Sequence, residues 1–358
     1  MQCTVNRQQL LNNLKAMKKV FPVIESLFLE IEDDILILRV RQAEAFNRRY
    51  VSVEGTVKPG KIVINYKFLE DVLTTNKSVE TLSFRSINNN LKITAGKSSY
   101  RTFLKNEKVR DPEIPEDTLK ISAKNTAIFR SMLEQVKFKM IINSELENSP
   151  VLITNTEDSL NIKCSDSIYC TFYEGPSISK ESFELSIYLD AIQAVFSDIH
   201  TTASIAITED SFYLESNELF ARVPTLQTGI EHIRNAEKMV MNEDLFENDI
   251  RVGSKQLKEI ADVIKIVADD SDSFSFSIKK DKIFTKLKTN MGSAKHIIDC
   301  ESDITESIII PYLSYNYVVN SQVSSEVIFQ IHNQGKCYKL TSSNKDITVT
   351  CIAPTSVM

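Results

Sequence analysis

Lysine and arginine carry the most regularly placed chemistry in this 358-residue chain. In residues 6–21 the helical period puts Leu10, Leu11, Leu14 and Met17 on one stripe and Gln8, Asn12, Lys15 and Lys19 on the opposite face. Residues 125–138 repeat this, hiding Ile128, Phe129, Met132, Leu133 and Val136 while offering Arg130 and Lys137. Residues 254–267 hide Leu257, Ile260, Ala261 and Ile264 and offer Lys255, Lys258 and Lys265. Cations on an exposed stripe can neutralise backbone phosphates without reading a base. Glu134 and Asp262 lie on the same stripes and weaken that attraction.

Other reactive residue types lack such order. The pairs Asp33-Asp34, Glu157-Asp158 and Asp269-Asp270 fall at turns, where solvated hairpin tips explain them. With 8 glycines there is little material for a phosphate-binding loop, and neither that loop nor GxSxG occurs. His200, His232, His296 and His332 have no ligand spacing, so no metal or other cofactor is expected. Cys3, Cys164, Cys170, Cys300, Cys337 and Cys351 show no CxxC pairing and lie mostly in β-like runs, which predicts buried, reduced thiols. An enzyme is not expected. The readings set against this are a metal-dependent DNA-modifying enzyme with scattered carboxylates and a β-rich scaffold that never meets DNA.

The elements that must position the cations follow from patterning. A 42% hydrophobic composition without low-complexity tracts suits two or three packed domains. No 18-residue apolar run is present and the N-terminus lacks a signal-peptide core, so a cytoplasmic protein without membrane contact is expected. After the first helix, residues 27–40 read as a β-hairpin, 50–57 as a strand, 66–75 as a short helix, and 81–104 as closing strands, giving β-α-β-β-β-α-β-β-β. The same order recurs twice, with the long helices about 118 and 130 residues apart and the short ones about 121 and 124 apart. The charged, proline-bearing stretch 105–116 and the polar stretch 227–248 read as linkers. The expected domains are 1–117, 118–245 and 246–358, with net charges of +4, −9 and −1 that add to −6 for the chain. Positive charge is thus segregated within an acidic body.

CTVNRQQLLNNL at the start, FPVIESLFLEIEDDILIL at 21–38, PGKIVINYKFLEDVL at 59–73 and DPEIPE at 111–116 together resemble the bacterial-type DNA polymerase III beta-subunit sliding clamp. In outline the resemblance runs from Met1 to Met358. It implies an α+β fold of three repeated clamp domains, each with two helices packed on antiparallel sheets. It further implies a head-to-tail homodimeric ring around double-stranded DNA, bound without sequence preference, that works with a clamp loader and tethers a replicative DNA polymerase as its processivity factor. A solvated face explains one cationic helix; three at matched positions, with the resemblance, make Lys15, Lys19, Arg130, Lys137, Lys255, Lys258 and Lys265 the expected DNA contacts. Lys97 and Arg101 correspond to a basic stretch near the family's DNA-facing rim, with surface solubility as the alternative reading.

The resemblance also implies a partner-peptide cleft formed by Ser165, Ser167, Ile168, Tyr169 and Cys170 with Ala353, Pro354, Thr355 and Val357. There the sequence departs from the family: Ile168 and Tyr169 stand where the family has His and Arg, and Thr355 where it has Met. A partner peptide different from the family's glutamine-led motif is expected, as suits a clamp from a virus or mobile element with its own polymerase. The alternative for this tail is that it completes a strand.

Overall fold

Asparagine side chains start the first two helices. In the computed structural model, which describes residues 1–21, 23–138, 149–166, 169–197, 199, 202–226, 230–240 and 242–356, strand β1 (Gln2–Asn6) passes into α1 (Arg7–Val20), and the Asn6 side chain accepts a hydrogen bond from Gln9 N at 3.0 Å. Leu10, Leu11, Leu14 and Met17 are buried, each contributing about 1.5–3 kcal/mol. Strands β2 (Ser26–Glu32), β3 (Ile35–Gln42), β4 (Ala45–Lys58) and β5 (Gly60–Asn65) follow, then α2 (Tyr66–Thr75), capped by Asn65 through Phe68 N at 3.0 Å. Strands β6 (Thr81–Ile87), β7 (Asn90–Ala95) and β8 (Ser98–Phe103) complete the first repeat. The structure adds one strand to the expected order, because β5 does not merely lead into α2: it pairs with β2 from Ser26–Asn65 to Ile31–Gly60.

The second repeat comprises β9 (Leu119–Ile121), α3 (Ala123–Gln135), β10 (Pro150–Asn155), β11 (Ser159–Ser165), β12 (Cys170–Pro176), β13 (Phe183–Tyr188), α4 (Leu189–Ser197), β14 (Ala203–Ile207), β15 (Ser211–Ser216) and β16 (Leu219–Pro224). Next, within the polar stretch 227–248 whose composition reads as a linker, comes a helix instead, α5 (Glu231–Val240), held by its packing on Leu152. The third repeat comprises β17 (Phe246–Gly253), α6 (Ser254–Lys265), β18 (Ser273–Lys279), β19 (Lys282–Thr289), β20 (Gly292–Asp299), β21 (Thr305–Pro311), α7 (Tyr312–Asn320), β22 (Glu326–His332), β23 (Cys337–Ser343) and β24 (Thr348–Pro354).

These elements gather into two compact units, Met1–Ala127 with Leu189–Thr225, and Ile128–Tyr188 with Leu226–Met358. The first unit holds a 12-stranded sheet in which β4 pairs with β16. The second holds an 8-stranded sheet in which β12 pairs with β24, and a 4-stranded sheet, β20-β19-β18-β21. Residues 118–245 therefore contribute to both units.

In each unit a tyrosine ties two helices together. Tyr66 of α2 donates to the Leu14 carbonyl of α1 at 2.9 Å, and Tyr315 of α7 donates to the Leu257 carbonyl of α6 at 3.0 Å. Around Tyr315 the rings of Phe276, Phe329 and Tyr338 stack at centroid distances of 4.9 and 5.5 Å. All six cysteines are unpaired and buried, and burial pushes the Cys3 and Cys351 thiols up to about 12.

Candidate nucleic-acid interface and partner cleft

The helix cations stand on the faces that periodicity assigns. Lys15 and Lys19 are exposed on α1, Lys255 and Lys265 are exposed on α6, and Lys258 is half-buried there. Arg130 on α3 is half-buried, and its Nε donates to Glu134 Oε1 at 2.8 Å one turn away. Lys137 lies just past α3, where its backbone N–H donates to the Tyr173 hydroxyl at 2.9 Å and its carbonyl accepts from Ser321 at 3.1 Å.

Lys97 and Arg101 are also exposed, but Arg101 is set apart from the helices of the first unit. Along β6, β7 and β8 the residues Leu82, Phe84, Leu91 and Ile93 face the core that α1 and α2 cover. Arg101 pairs across the sheet with Lys92, and Lys92 with Arg85, so all three occupy the other face. Sequence periodicity within one strand could not reveal this alignment, which depends on the register of two hairpins.

The two segments of the expected cleft come together as neighbouring strands of the second unit. Cys170 lies opposite Ile352 in the β12–β24 ladder, and Ser165, Tyr169, Cys170 and Ala353 are all buried. The Tyr169 ring lies 5.0 Å from Phe138 and is stacked 5.7 Å from Tyr317. Burial first, and then neighbouring Cys351, push the Cys170 thiol up. At the tail Pro354 is exposed, Thr355 N donates to the Lys336 carbonyl at 3.0 Å, and the Thr355 hydroxyl donates to the Gly335 carbonyl. Ser356 N continues to the Ile309 carbonyl at 2.8 Å. The tail thus does complete sheet structure. Ser167, Ile168 and Val357 lie outside the described residues.

Helix α5 packs beside β10 and β11. Ile230 and Ile233 pack on Leu152, His232 Nε2 lies 2.8 Å from the Ser165 carbonyl, and Glu237 pairs with the largely buried Lys163 at 2.6 Å. Isoleucines three apart, Glu231 in the first turn and Lys238 in the last were the sequence signals available for it.

Residues 1–107 match the family profile of the DNA polymerase III beta subunit, N-terminal domain. No curated protein matches the chain. Among solved structures, the beta clamp of Helicobacter pylori bound to a DNA ligase peptide is similar at a TM-score of 0.80 and 13% identity, over 100% of both chains. The DNA polymerase III beta subunit of Thermotoga maritima is similar at a TM-score of 0.81 and 14% identity, over 100% of this chain and 99% of that one. That of Pseudomonas aeruginosa is similar at 0.79 and 13%, again over 100% of both. The chain has the beta sliding-clamp fold. In this clamp fold, each of the three repeats supplies two helices packed on antiparallel sheets. Among the described residues, no helix is long and apolar enough to cross a membrane, and no group of three or more His, Cys, Asp or Glu is placed to hold a metal ion.

Proposed function

We propose that the chain is a DNA sliding clamp: two copies join head to tail, encircle duplex DNA, and tether a replicative polymerase after opening by a clamp loader. It performs no chemistry itself; its work is retention. One observation carries the reading. Among the described residues, β8 lies at one end of the first unit's sheet and β20 at one end of the second unit's 4-stranded sheet, each with one side unpaired, and beside β20 Ile266 and Met291 are 74% and 70% exposed. Unpaired edges flanked by apolar side chains invite strand addition, and two complementary edges on one chain let copies close on each other. In such a ring, Lys15, Lys19, Arg130, Lys137, Lys255, Lys258 and Lys265 contact the phosphates. Tyr169, Cys170, Ala353 and Pro354 border the site for a linear peptide of the polymerase, the kind of partner named for the Helicobacter pylori clamp bound to a DNA ligase peptide.

Light scattering coupled to gel filtration at micromolar concentration tests this. The wild-type protein is expected at twice the 40.6 kDa chain mass, and the Ile266→Asp/Met291→Asp variant at the chain mass. A wild-type protein that runs at the single-chain mass overturns the closed dimer.

A further inference from the structure

Opposite α1 and α2, the solvent face of the first unit sorts its side chains into rows. Arg85, Lys92 and Arg101 stand directly across from one another on β6, β7 and β8, and the row continues through Gln2 on β1 to Lys58 on β4. A hydroxyl row runs on one side through Thr4, Ser83, Thr94 and Ser99, with Glu54 at its β4 end. On the other side lie Ile87, Asn90 and Phe103, where Ile87 is 42% and Phe103 76% exposed. A groove of about 330 Å³ follows the rows and is lined by Thr4, Ser83, Arg85, Lys92 and Arg101 among others.

Like charges directly opposite each other destabilise a sheet. Among the described residues no ion pair neutralises Lys58, Arg85, Lys92 or Arg101. The third strand of the equivalent meander in the second repeat differs: its Arg222 is paired with Glu44 at 2.7 Å and Asp210 at 3.5 Å. In the third repeat the order recurs on β20, which stands at the place of β4 in the first repeat rather than of β8. The outer face of β8 reads Ser99, Arg101, Phe103 at alternate positions, and β20 reads Ser293, Lys295, Ile297, with Lys286 opposite Lys295 and Phe284 opposite Ile297. Two strands nearly two hundred residues apart therefore keep the order hydroxyl, cation, apolar at a cost in sheet stability, which points to use.

We propose that the β6–β8 face binds single-stranded nucleic acid, with Lys58, Arg85, Lys92, Arg101 and the hydroxyls on the phosphates and Phe103 under an unstacked base. Cations and hydroxyls are the side chains that contact backbone phosphates, and an exposed ring beside them supplies a base-stacking platform. A duplex keeps its bases stacked on one another and offers nothing to Phe103. An acidic peptide would engage the cations alone. This surface uses one face of one unit and is independent of ring closure.

The test is fluorescence anisotropy of a labelled dT20 oligonucleotide with the full-length protein at low salt. Lys92→Glu is chosen because it sets a carboxylate between two arginines and so spares the sheet; it is expected to weaken binding at least tenfold. Phe103→Ala is expected to weaken dT20 binding about 5–150-fold and to leave an abasic oligonucleotide of equal length unaffected. The Ile266→Asp/Met291→Asp variant is expected to bind dT20 as the wild type does, which separates this track from dimerisation. Absence of wild-type binding, full binding by Lys92→Glu, loss in the Ile266→Asp/Met291→Asp variant, or displacement of dT20 by polyglutamate at equal charge concentration overturns the proposal.

Discussion

Replacing Lys15 and Lys258 with glutamine is expected to flatten the salt dependence of duplex-DNA binding without disturbing the fold. Lys15 is exposed on α1 and Lys258 half-buried on α6, each following a buried leucine (Leu14, Leu257), and neither takes part in an ion pair among the described residues. Each phosphate neutralised contributes about −0.9 to the slope of log affinity against log salt. Between 50 and 200 mM salt, one contact therefore accounts for about a 3.5-fold loss, and the four contacts that two chains supply account for about 150-fold. Arg130 is left out because Glu134 already holds its guanidinium at 2.8 Å. The same geometry predicts the opposite change for Glu134→Gln, which removes that carboxylate and steepens the slope by up to about 0.9 per chain. Anisotropy of a labelled linear duplex across a salt series, with circular dichroism to check folding, measures both. A double variant with the wild-type slope would refute the assignment of α1 and α6 to the DNA.

Two further outcomes follow from buried groups. Burial raises the Glu30 carboxyl, but hydrogen bonds from Lys61 and Arg39 outweigh it and hold the group below the usual range. The network is then stabilising above the unfolded value of about 4.3 and loses that contribution as pH falls through the folded one, so urea midpoints of wild type and Glu30→Gln should differ at pH 7 and converge in acid; a constant difference refutes this. Ile233 is fully buried against Leu152 and Ile230, and Ile233→Ala is expected to lose about 2–5 kcal/mol locally, seen as faster hydrogen exchange in α5 while β22–β24 keep their protection.

The amphipathic helices were legible because each carries its own evidence: apolar residues three and four apart, asparagine caps at Asn6 and Asn65, and lysines in the last turn of α1. Strands β16 and β20 were not. The outer residues Ser293 and Lys295 of β20 look like loop, and only Ala294 and Ile298 against the core make it a strand. Helix α5 depends on Leu152, Lys163 and Ser165, which lie about 70 residues upstream, so its local polarity hid it. Periodicity placed the helix cations on outward faces because a helix aligns its own residues. The alignment of Arg85, Lys92 and Arg101 is a property of three paired strands, and no single stretch of sequence expresses it.

The pairing of β4 with β16 sets a timetable for the ribosome. Arg49 meets Leu219, 170 residues later in the chain, and Cys170 meets Ile352 after a still longer interval of 182 residues. At about 5–20 residues per second, each early strand waits roughly 10–35 s for its mate. During that wait β4 and then β12 offer bare hydrogen-bonding edges to any nascent chain nearby, and contacts so distant in sequence close slowly. Crowded polysomes should therefore be where this protein is most vulnerable to mispairing, and slower translation before residue 219 should lengthen the exposure of β4.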